Sequence, residues 1–169
     1  VKGTSLAWGT TARRYGKHEV PALKAGKALS ATGWKGERIF LQAVLWGDKE
    51  ITEVNLIASD LIGPKGIIPS SAVIPGFERF VMGDTYGNGS GWFHTDDVTT
   101  RDSVLVADPV IGPYMASIEG ETVRPIWVEV KIPADAAPGL YKGSVMVACK
   151  ELDKPLTLKY NLNVRNHTL

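Results

Sequence analysis

From residue 126 to residue 132 side chains alternate between two faces with a period of two, and a corner of proline, alanine and glycine then leads to a second extended run ending at residue 147. Ile126, Val128, Val130 and Ile132 fall on one side of the first run, and Trp127, Glu129 and Lys131 on the other. Only an extended chain sends successive side chains to opposite faces, so the run predicts a half-buried strand. Pro133 ends it. Ala137-Pro138-Gly139 supplies turn chemistry, and residues 141–147 form the return strand. The same alternation closes the chain: Leu156, Leu158, Tyr160, Leu162 and Val164 face a core, while Thr157, Lys159, Asn161, Asn163 and Arg165 face water.

Glycine and proline cut the rest of the chain into short extended pieces, and no helical period stands out. Strands are predicted near residues 19–23, 27–31, 38–46, 52–59, 77–83, 104–107, 125–132, 141–147 and 156–164. The fold class is therefore all-β. It is a two-sheet antiparallel β-sandwich of about nine strands, immunoglobulin- or fibronectin-like or jelly-roll-like. Residues 38–46 differ from the other strands, because Ile39, Leu41, Ala43 and Leu45 are apolar on one side and Phe40, Val44 and Trp46 on the other. Such a strand is covered on both faces. Gln42 in its middle should then be hydrogen-bonded to backbone or to a neighbouring loop, a reading that outweighs ligand contact.

A chain of 169 residues, 44% of them hydrophobic, can bury one good core, so residues 1–169 are expected to form a single domain. The formal charge of +1 leaves no basic field of the kind that nucleic acid or an anionic membrane attracts. Arg13, Arg14 and Lys17 make a short basic cluster that reads as a solvated turn. Cys149 is the sole cysteine, which excludes an intrachain disulfide, and it follows a strand as a small hydrophobe. No apolar run approaches the roughly 20 residues of a membrane-spanning helix.

Residues 83–103, GDTYGNGSGWFHTDDVTTRDS, form a long glycine-rich loop with Tyr86, Trp92 and Phe93 among small polar residues. Loops of this length tend to carry function. Tyr86, Trp92 and His94 are therefore the candidate ligand-binding residues. His94, Asp96, Asp97 and Asp102 also gather acid and imidazole in one stretch. Adjacent residues of an extended segment point apart, so backbone bonding by these side chains outweighs a calcium-like site, and both outweigh catalysis. His18, His94 and His167 lack zinc-ligand spacing, and GNGSG lacks the strand-to-helix setting of a nucleophile elbow. No cofactor or metal is expected.

Trp8, Trp34, Trp46, Trp92 and Trp127 raise the possibility of stacking on sugar rings. Trp34 and Trp46 flank the doubly apolar strand and read as core or core-edge packing. Trp127 lies on the polar side of its strand, where something should cover it. Phe40, Val44, Trp46 and Trp127 are accordingly the candidate domain-docking residues.

Four segments carry a family resemblance: WKGERIFLQAVL from Trp34, ASDL from Ala58, FERFVMGD from Phe77, and ADPV at residues 107–110 continuing into RPIWVEVKIPADAAPGLYKGSVMV. In this order they resemble the N-terminal β-sandwich domain of glycoside hydrolases of family 123. The resemblance implies a sandwich placed ahead of a (β/α)8 barrel that acts on β-linked N-acetylgalactosamine, by substrate-assisted retention with an adjacent Asp-Glu pair. No such pair occurs in this sequence. The resemblance thus implies a non-catalytic accessory and scaffolding domain, not an enzyme alone, within a longer exported protein whose catalytic domain follows residue 169. Its expected partners are that catalytic domain and, as a second candidate, a glycan, without nucleic acid. A carbohydrate-binding module acting through loop aromatics and a self-contained hydrolase using Asp96 or Asp97 are the alternatives.

Overall fold

The computed structural model describes residues 3–84 and 103–169. Twelve strands are found among them: β1 (Thr4–Trp8), β2 (Leu29–Lys35), β3 (Arg38–Gly47), β4 (Ile51–Ala58), β5 (Leu61–Gly63), β6 (Gly66–Ile68), β7 (Val73–Asp84), β8 (Ser103–Val110), β9 (Tyr114–Ile118), β10 (Thr122–Lys131), β11 (Gly139–Ala148) and β12 (Leu156–Thr168). A single 3-10 turn, Ser70–Ala72, is the only helical element among the described residues. One sheet runs β1-β3-β10-β7-β8, and the other β2-β12-β11-β4-β9 with the short β5-β6 pair attached to β11. All pairings are antiparallel except β2 with β12.

The sheets face each other across one apolar layer. Ile126, Val128 and Val130 of β10 and Leu158, Tyr160 and Leu162 of β12 are buried in it, as the alternation in the sequence requires. Burying each such side chain contributes about 1.5–3 kcal/mol, which is what drives the two sheets together. The strand count exceeds the expected nine because β1, β5, β6 and β9 are too short for a periodic signal. Residues 19–23, expected as a strand, instead belong to an irregular segment.

That segment, residues 9–28, determines what the outer face of the five-stranded sheet exposes. Ala7, Tyr15, Val44, Trp46 and Val123 form a second buried cluster, with Leu23 packed against it. Main-chain bonds fasten the segment down: the Gly9 amide donates to the Gln42 carbonyl at 2.9 Å, and the Val123 amide to the Lys17 carbonyl at 2.7 Å. Gly9 leaves room for the Tyr15 ring, which a Cβ there would overlap.

A corner residue locks the other sheet. The Tyr141 hydroxyl donates to the Ala137 carbonyl at 2.8 Å, four residues upstream across the Pro138-Gly139 turn. This is the tyrosine-corner arrangement of sandwich folds. The ring lies against Gly63, where an added Cβ would sit 2.5 Å from it.

Candidate functional site

The outer face of the five-stranded sheet follows from register. Phe40, Gln42, Val44 and Trp46 on β3 lie opposite Glu129, Trp127, Pro125 and Val123 on β10, and Trp127 and Glu129 in turn lie opposite Gly76 and Ile74 on β7. Residues 9–28 cover one end of this face. The other end they leave bare.

Val44 and Trp46 lie at the covered end, buried beneath Tyr15 and Leu23. Their apolar side is filled by the chain's own N-terminal segment, which removes both from any surface offered to another domain. Phe40 and Trp127 lie at the bare end. Phe40 is 48% exposed and Ile74 44%, and Trp127 is half-buried, its ring 5.8 Å from that of Phe40. Trp34, expected in the core or at its edge, is 45% exposed and packs edge-on to His167 at 6.2 Å. Its strand β2 is an outer strand of its sheet, pairing with β12 alone among the described residues.

The end of β12 belongs to this region. The Leu169 amide donates to the Lys35 carbonyl, and the Gly36 amide to the Ile132 carbonyl, both at 3.0 Å. Lys35 and Gly36 form the β2–β3 corner, where Gly36 takes a positive φ of 81°. Leu169 therefore lies beside the corner that leads within a few residues to Phe40.

Between the two ends lies polar ground. Gln42 is 3% exposed and Glu78 5%. Gln42 Nε2 donates to Glu78 Oε1 at 3.0 Å across β10, while Gln42 Oε1 has no partner. Gln42 was expected to bond to backbone or a loop, but its partner is a side chain two strands away. Burial pushes the Glu78 carboxyl above the usual carboxylate range, a shift opposed by the Gln42 bond and by Arg14 and reinforced by Asp108. Both side chains form the floor of a cleft of about 260 Å³, with Thr11, Arg14, Asp108 and Trp127 in its lining. Arg14 Nη2 stands 3.8 Å from Asp108 Oδ1 at the rim, and both are exposed.

A second cleft, about 360 Å³, is lined by Lys17, Arg79, Phe80, Leu105 and Arg124. Arg124 stacks on the Phe80 ring at 5.0 Å and donates from Nη1 to the Glu78 carbonyl at 3.0 Å. Lys17 pairs with Glu119 at 2.8 Å, which holds the Glu119 carboxyl below its usual range.

Tyr86, Trp92 and His94, with Asp96, Asp97 and Asp102, lie outside the described residues. Among the described residues no group of three or more His, Cys, Asp or Glu side chains is placed to hold a metal ion. No helix there is long and apolar enough to cross a membrane. The basic cluster is indeed at the surface, Arg13 pairing with Glu19 at 2.6 Å and lying 5.3 Å from the centre of the Tyr15 ring. Sequence reasoning did not single out Glu78 or Asp108, and it read Arg14 only as part of a solvated basic turn. A carboxylate beside Phe77 in an apolar strand was the signal for Glu78, whereas nothing local marks Asp108.

Two packed sheets joined by a tyrosine corner, with one outer face half covered by its own chain, define a β-sandwich module. The sequence profile described as the glycoside hydrolase 123 N-terminal domain matches residues 8–149, and the chain belongs to that family. Among solved structures it is similar to a family 123 glycoside hydrolase from Clostridium perfringens, described for glycolipid glycan hydrolysis, with TM-score 0.82 and 22% identity. The match covers 99% of this chain and 28% of that one, so the chain spans under a third of its length. More distant matches include the CooA pilin subunit of enterotoxigenic Escherichia coli, with TM-score 0.44, 9% identity and coverage of 96% and 99%. Another is the N-terminal domain of PorA, with TM-score 0.44, 12% identity and coverage of 96% and 97%. A comparison with curated proteins found no match.

Proposed function

We propose that this chain is the non-catalytic accessory domain of a glycoside hydrolase acting on N-acetylgalactosamine-type glycans, and that it scaffolds the catalytic domain of the same polypeptide. The observation that carries this reading is the aromatic pair of exposed Phe40 and half-buried Trp127, with Ile74 beside it, at the end of the sandwich where Leu169 emerges. A catalytic domain continuing from Leu169 starts within reach of that patch. Bare aromatic and aliphatic surface rimmed by charge is what an interdomain contact buries. The rim is present here as Arg38 and Glu129, 3.3 Å apart.

The test is association in trans. The chain is mixed with the separately produced remainder of its polypeptide, and binding is followed by calorimetry for the wild type and for Phe40→Ser with Trp127→Ser. Saturable binding weakened at least about tenfold by the double substitution supports the docking face. Binding unaffected by it, or no binding at all, overturns it. Hydrolysis of chromogenic N-acetylgalactosaminides by the remainder, and none by this chain, is the expected division of labour.

A further inference from the structure

We infer that the cleft floored by Gln42 and Glu78, which meets the docking patch at Trp127, is a binding subsite for a single pyranose ring. The argument begins with what the fold leaves unsatisfied. A buried carboxyl normally accepts several hydrogen bonds, yet among the described residues the one side chain that bonds to the Glu78 carboxyl is Gln42. Gln42 for its part keeps an amide oxygen without a donor. Two nearly inaccessible polar side chains therefore meet at the bottom of an open cleft with acceptor capacity to spare. Holding them there costs stability unless something returns the missing bonds.

The lining narrows what that something is. At the floor the spare capacity is for acceptors, so the ligand must present donors. At the rim Arg14 presents donors and Asp108 acceptors, 3.8 Å apart and both exposed. Thr11 adds a hydroxyl able to play either part. Hydroxyl groups, each donor and acceptor at once, satisfy such a mixed lining, whereas a simple anion or cation does not. Trp127 supplies an apolar wall beside these polar groups. A ring with axial C–H bonds on one face and hydroxyls around its edge matches an aromatic wall with polar floor and rim. At about 260 Å³ the cleft lies below the usual range for drug-sized ligands, which suits one sugar ring and not an extended chain.

The experiment is a heteronuclear NMR titration of this chain with methyl β-glycosides of N-acetylgalactosamine, galactose and glucose. The expected result is saturable shifts of the Trp127 indole and the Gln42 side-chain amide with at least one of the three sugars. Glu78→Gln should weaken binding about tenfold, since it replaces a charged acceptor by a neutral one. Arg14→Ala, at an exposed rim position that no core packing depends on, should weaken it severalfold and guards against a Glu78 variant that fails to fold. Unmoved cleft signals with all three sugars overturn the proposal. So do shifts confined to the Trp92 indole and abolished by Trp92→Ala, and so does sugar binding indifferent to both cleft variants. The docking reading fails separately, through the Phe40 and Trp127 pair in the association assay, and Arg14→Ala should leave that association unchanged.

Discussion

Phe40 and Trp127 are diagonal neighbours across the β3–β10 pair, Phe40 lying opposite Glu129 and Trp127 opposite Gln42, and their rings tilt 32° to each other at 5.8 Å. Diagonal cross-strand aromatic pairs are within contact reach and add a few tenths to one kcal/mol. Because Phe40 remains half exposed, Phe40→Ser should cost this chain less than about 1 kcal/mol in urea unfolding. Trp127→Ala removes more buried area and should cost about 1–2 kcal/mol. A Phe40 loss larger than the Trp127 loss would mean that the pair serves the fold more than a partner.

The alternation along β12 predicts a sharp contrast between neighbouring positions. Leu158 is 1% exposed, while Lys159 points outward. Leu158→Ala should destabilise the chain by about 2–5 kcal/mol and Lys159→Ala by less than about 0.5 kcal/mol, both read as shifts in the denaturant midpoint.

Tyr141→Phe keeps the ring against Gly63 and deletes only the bond to the Ala137 carbonyl. Its expected cost is about 1 kcal/mol in thermal unfolding. Gly63→Ala should cost more, about 1–3 kcal/mol, because its methyl must displace the ring.

Glu78 makes the pH dependence of stability partly predictable. Its folded-state pKa is raised above the ordinary 4.5, chiefly by burial, so the folded chain holds a proton where the unfolded chain has already lost it. Stability from this group is then fully present below about 4.5 and falls as pH rises through the folded value. Glu119 and Glu151 are shifted downward, by Lys17 and by Thr52 respectively, and their contributions are lost in the opposite direction, as pH falls below the ordinary carboxylate range. Unfolding curves across the mildly acidic range should therefore show Glu78→Gln gaining on the wild type as pH rises. Parallel curves would mean that Glu78 ionises as it does in the unfolded chain.

Much of this architecture is legible in the sequence. The inward side of β10 and the buried row of β12 follow residue by residue from period-two spacing, and the Ala137-Pro138-Gly139 corner from turn chemistry. β1, β5, β6 and β9 were not legible, since three to five residues cannot display a period. The strand expected at residues 19–23 failed for a tertiary reason: an apolar stretch there serves to cap Val44 and Trp46 by way of Leu23, without any strand partner.

Sequence alone determined that this protein is a β-sandwich and which side chains face inward, because a strand's alternation is set by local backbone geometry. It also showed that β3 is apolar on both sides. Only the tertiary structure decided that residues 9–28 bury Val44 and Trp46 but do not cover Phe40 and Trp127, and that Gln42 meets Glu78, 36 residues away. Those outcomes depend on where a segment with no period of its own comes to rest and on the order in which strands pair. Both are settled by packing between distant parts of the chain, on which local patterning has no hold.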